Sequence, residues 1–163
     1  MIALVAAAAL GGDPSVVPVP IGPGARFRPA AHRAAAPALI CDRAMSAYRI
    51  HLELFAQGKV IVVPAGIGRG DAGCTGDIRT TAPGGIVDVA RRHATLGDLF
   101  RVWGERLTPN RLLSFPGNVR VYVAGRRMAG NPVTVALTPN AEIVVEVGPT
   151  IPPHRFFLFP KGS

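Results

Sequence analysis

A chain of 163 residues is long enough for one domain with its own core, and an apolar content of 48% excludes a globally disordered polymer. The net charge of +8 raises a nucleic-acid or anionic-membrane partner. However, the arginines stand singly or in pairs, as in Arg91-Arg92 and Arg126-Arg127, with no basic run and no aromatic ladder beside them. This spacing favours a solvated basic surface over nucleic-acid binding.

Residues 1–12 open with MIALVAAAAL, an apolar stretch too short to span a bilayer, which takes about 20 residues. It reads as a signal-like apolar segment of a secreted or cell-envelope protein, although a cationic leader is missing and a buried N-terminal segment is the competing reading. Residues 13–40 are rich in Pro and Ala, which lock or shorten the chain without giving it a core, and are expected to form a disordered tether. A single folded domain is expected over 41–163, with no transmembrane span.

Tyr48, Ile50, Leu52 and Leu54 alternate with Arg49, His51 and Glu53, the period of a half-buried strand. A turn over Ala56-Gln57-Gly58-Lys59 and a return strand over Val60 to Val63 complete a hairpin. Residues 65–84 are glycine-rich and are expected to be a long loop, followed by a short strand at Ile86 to Val89. Thr95 and Asp98 have the spacing of a helix N-cap and its reciprocal partner, and Gly104 suits the C-terminal stop. Between them Leu96, Leu99, Phe100 and Trp103 share one helical face, which predicts a short helix with Trp103 in the core. After a loop at Thr108 to Asn110, strands are expected at Val119 to Val123, Val133 to Leu137 and Ile143 to Val147, ahead of an irregular tail with three phenylalanines. This order predicts an α+β, mostly β fold: a small β-grasp-like roll with one short helix packed on a mixed sheet.

The blocks Ile50 to Phe55 with Gly58-Lys59, Val63 to Gly68, Gly85 to Val89, Thr95 to Gly104, Val121 to Gly125 and Ile143 to Gly148 carry a resemblance. Together they resemble a family of secreted bacterial proteins of uncharacterised function, over about residues 41–162. Its members have a His-rich first strand, a Leu-His-Thr-His segment and a Thr-Leu-Gly-x-Phe-Phe-x-x-Trp-Gly helix. Clustered imidazoles of that kind would suit copper or zinc. In this chain the matching positions hold Ala47, Arg49, Arg79, Thr81 and Asp88, and only His51 is retained. The resemblance therefore implies a degenerate metal site, with His51, Glu53 and Asp88 as its weak candidates.

Cys41 and Cys74 also stand where members of that family carry cysteine. In an exported protein the pair reads as a disulfide, with a structural rather than redox role because the spacing is not Cys-x-x-Cys.

Catalytic constellations are not found. Gly-x-Ser-x-Gly is absent, and Gly66-Ile67-Gly68-Arg69-Gly70 lacks the Lys-Ser/Thr pair and the following helix of a phosphate loop. His93 and His154 read as lone loop histidines. The expected function is thus a non-catalytic exported binding domain for an extracytoplasmic protein or small ligand. The alternative is a metal-binding protein active through His51, Glu53 and Asp88.

Overall fold

The computed structural model describes residues 26–29, 47–70 and 73–160. The alternating segment forms the long strand β2 (Tyr48–Ala56), preceded by the short β1 (Arg26–Phe27) and followed by β3 (Lys59–Ile61). Gln57 and Gly58 both take positive φ, 49° and 75°, which makes the two-residue turn whose twist matches paired antiparallel strands. The return strand ends at Ile61 and begins one residue earlier than the sequence pattern suggests. Within the segment read as a tether, β1 lies parallel to β3.

Next come β4 (Ile78–Arg79), β5 (Ile86–Val89) and helix α1 (Leu96–Trp103). The expected capping pair is in place: the Asp98 N–H donates to Thr95 Oγ1, and Asp98 accepts from the Thr95 N–H. Gly104 closes the helix with φ of 77°, a left-handed value that a glycine adopts without Cβ strain. Leu96, Leu99, Phe100 and Trp103 are all buried, so the helix has one apolar face, which packs into the core. Removing a side chain as large as Trp103 from such a site costs about 3–5 kcal/mol.

Three short strands, β6 (Leu107–Thr108), β7 (Arg111–Leu112) and β8 (Phe115–Pro116), form a separate small sheet where a simple loop was expected. The chain then enters β9 (Val119–Val123), turns at Ala124-Gly125 into β10 (Arg126–Arg127), and ends its sheet with β11 (Glu142–Val147). The expected strand over Val133 to Leu137 is not formed. Pro132 has no N–H to give a ladder, and the Asn131 side chain accepts from the Val133 N–H at 3.2 Å, so Pro132–Thr134 winds into one turn of 3₁₀ helix. Ala136 makes only an isolated bridge with Thr95.

In the main sheet the order is β1-β3-β2-β11-β9-β10, with β5 on β2 and β4 on β5. The last strand runs parallel beside the first long one, in the register Glu142↔His51, Ile143↔Leu52 and Val144↔Glu53. The fold is therefore α+β and mostly β, with a mixed sheet and a hairpin-helix-return order of the β-grasp kind. The other edge of β2 is divided: β5 pairs with residues 48–51 and β3 with residues 54–56. Among the described residues no helix is long and apolar enough to cross a membrane.

Candidate metal centre

The parallel pairing of β2 and β11 gives the sheet two unlike faces. Ile50, Leu52, Leu54, Ile143, Val145 and Val147 belong to the core that receives the helix. The alternate positions His51, Glu53, Glu142 and Glu146 project from the opposite face, and all four are buried. Four titratable side chains on one buried face need partners to offset their desolvation.

Glu146 has them. Its Oε1 accepts from Arg120 Nε at 2.7 Å and from the Tyr122 hydroxyl at 3.1 Å, and its Oε2 accepts from the Ile151 N–H at 2.9 Å. Both oxygens are satisfied, so Glu146 is a structural carboxylate.

His51, Glu53 and Glu142 are arranged otherwise. One donor atom from each lies within 4.8 Å of the others. His51 Nδ1 is 2.7 Å from Glu142 Oε2 and 4.0 Å from Glu53 Oε1. Its other nitrogen, Nε2, is 2.9 Å from the Gly84 carbonyl oxygen. A carbonyl only accepts, so Nε2 carries the hydrogen and Nδ1 is the nitrogen turned toward the carboxylates. Glu142 Oε1 is buried and has no hydrogen-bond partner among the described residues. Burial pushes the Glu142 carboxyl above the usual carboxylate range. The His51 hydrogen bond and charge oppose this rise, and the Glu53 charge adds to it.

Covering this face is the segment at 149–160. His154 Nδ1 lies 3.0 and 2.9 Å from the two oxygens of Glu53. Phe157 stacks on the His51 ring, with centroids 3.7 Å apart and planes 10° from parallel, and packs edge-on against Phe159. Beside the cluster, a cavity of about 200 Å³ lies along β2 and β3 and is lined by Glu53, Phe55, Val60, Val62, Pro83 and Gly84 among others.

Of the sequence candidates, His51 and Glu53 come together as expected. Asp88 does not join them: its Oδ1 accepts from Arg49 Nε at 2.6 Å, two positions along the β2 register. The reading of His154 as a lone loop histidine is also corrected by its contact with Glu53. Glu142 was missed altogether. Its signal is present in Glu142-Ile143-Val144-Val145-Glu146-Val147, where two glutamates four residues apart fall on one face of a strand that is otherwise apolar. The expected Cys41–Cys74 bridge is not tested, because Cys41 lies outside the described residues, as do the signal-like segment and most of the tether.

The donor set fits a metal ion. On zinc bonds of about 2.0–2.1 Å, tetrahedral donor atoms stand roughly 3.3 Å apart, and the 2.7 and 4.0 Å separations from His51 Nδ1 bracket that spacing. A histidine ligand characteristically gives its second ring N–H to a carbonyl or carboxylate, the role Gly84 plays here. Comparisons with protein-family models, curated proteins and solved structures give no significant match to this chain.

Proposed function

We propose that this domain is a non-catalytic, exported binding module that holds one divalent transition-metal ion between His51, Glu53 and Glu142. The observation that carries the reading is the buried His51 ring, whose Nε2–H is fixed on Gly84 while Nδ1 faces two buried carboxylates, one with an oxygen that has no partner among the described residues. A cation placed there would offset the two buried carboxylates and give Glu142 Oε1 the partner it lacks among the described residues. One imidazole and two carboxylates favour zinc over cuprous copper, which prefers thiolate and thioether donors.

Export rests on the apolar N-terminal segment and on the resemblance to a secreted family. The basic charge is not read as a nucleic-acid surface, because Arg49, Arg91 and Arg120 are committed to Asp88, Asp77 and Asp98, and Glu146.

Titration of zinc chloride into the tag-free full chain tests the proposal by calorimetry. One ion per chain is expected, with binding lost in His51→Ala and in Glu142→Gln, the second of which keeps side-chain volume and hydrogen bonding. Absence of binding by the parent chain, or equal binding by both variants, overturns it.

The cavity beside Glu53 supports a second reading, in which a small apolar ligand is bound. In that case Val62→Trp, which fills the cavity, would change ligand-induced thermal stabilisation and leave zinc binding intact.

A further inference from the structure

Building on the metal reading, we infer that His154 is the fourth ligand, delivered by the C-terminal segment, so that the bound ion fastens that segment across the sheet. Three donors leave a tetrahedral ion with one open position, the arrangement of catalytic zinc, whereas four protein donors close it. His154 is the next donor at hand. It stands outside the tight trio, yet its Nδ1 already reaches both oxygens of Glu53.

The segment is held at two further points on the same face. Ile151 donates its N–H to Glu146, and Phe157 lies flat on His51. These contacts place His154 between two anchors, so little additional ordering is required for it to close on the ion. The charged and titratable groups facing it are Glu53 and His51 on β2 and Glu142 on β11, with Arg155 as its own neighbour. Two carboxylates therefore offset the charge of a divalent cation, and two neutral imidazoles complete the set. Nδ1 of His154 holds a hydrogen when it donates to Glu53. Coordination through that atom needs the ring hydrogen on Nε2: a neutral ring changes tautomer with no net proton release, and an imidazolium gives its Nδ1 proton to solvent, while the ion takes over the bond to the carboxylate.

His154 is nearly half exposed, 46% for its side chain, and Phe156 and Leu158 are exposed at 68% and 49%. Before the ion binds, the segment thus presents large apolar side chains to a protease of chymotrypsin type. Its release from the sheet can be read directly.

The test uses the full chain with zinc chloride as the probe, following cleavage after Phe156 and Leu158 and deuterium uptake over 149–160. Zinc is expected to slow both in the parent chain. His154→Ala should still bind zinc, with affinity weaker by about 10-fold or more, and should show no protection of the segment. Equal affinity in the parent and His154→Ala, or a segment indifferent to zinc in a parent that binds it, overturns the inference and leaves the three-ligand site standing. A parent chain that binds no zinc overturns both.

Discussion

His51 donates its Nε2–H to the Gly84 carbonyl at 2.9 Å, and this bond decides what the other ring nitrogen can do. It presents Nδ1 to Glu142 Oε2 at 2.7 Å. The approach depends on Gly85, whose φ is +91° and where a Cβ would run into the Leu52 carbonyl oxygen and stand 3.3 Å from His51 Nε2. Gly85→Ala should therefore cost roughly 1–3 kcal/mol and weaken zinc binding as the carbonyl withdraws. Gly58→Ala is the comparison: its φ is +75°, but among the described residues no atom lies within 4 Å of the added carbon, so backbone strain is what remains. Urea unfolding and zinc titration of the two variants should separate steric disruption of the site from turn strain.

Glu142 illustrates a conflict between stability and binding. Burial raises its folded carboxyl above the usual range, so the folded state favours the protonated form. The sign follows: stability is greatest below the ordinary carboxylate value and declines as pH rises through the raised one. In Glu142→Gln that decline should disappear, and the ion-free variant should be more stable than the parent at neutral pH. Urea midpoints across pH 4–8 in chelator check this, with the parent curve falling away from the variant as pH increases.

At the helix start the sign is opposite. Burial tends to raise the Asp98 carboxyl, but the Thr95 backbone and hydroxyl hydrogen bonds, with the charges of Arg91 and Arg101, hold it below its ordinary value. Its stabilisation is present above about pH 4 and lost as acid protonates it in the folded state. Thr95→Ala should cost about 1 kcal/mol at neutral pH, and the difference from the parent should shrink in acid. Thermal unfolding of the pair at pH 7 and pH 3 measures this.

The helix was legible in the sequence because its determinants are local: Thr95, Asp98 and Gly104 mark its ends, and four apolar residues mark one face. Strands β2, β5, β9 and β11 were legible for the same reason, each showing period-two or continuous apolar character. The Val133 strand failed because Asn131-Pro132 imposes a local cap and turn that outweighs the apolar run. The site was half legible. His51 and Glu53 are two residues apart on one strand face, but Glu142 lies 91 positions from His51 and reaches it only through parallel pairing of the first and last long strands. His154 lies 101 positions from Glu53 in a segment without periodicity, where no spacing rule applies.

Oxidised protein should carry a Cys41–Cys74 bridge, seen as an intact mass lighter by two hydrogen atoms that reductant restores. On the chain-entropy account this closure stabilises the domain by roughly 3–4 kcal/mol, so Cys74→Ser should lower the urea midpoint of the oxidised protein and leave that of the reduced protein nearly unchanged. Equal midpoints of parent and variant under oxidising conditions would argue against the bridge.

The central claim is most directly tested by anomalous X-ray scattering at the zinc absorption edge from crystals of the full chain grown with zinc. The account places one strong peak at about 2.0–2.2 Å from His51 Nδ1, within bonding distance of Glu53 and Glu142. A peak found only at surface histidines such as His93, with the His51–Glu142 contact intact, would contradict it.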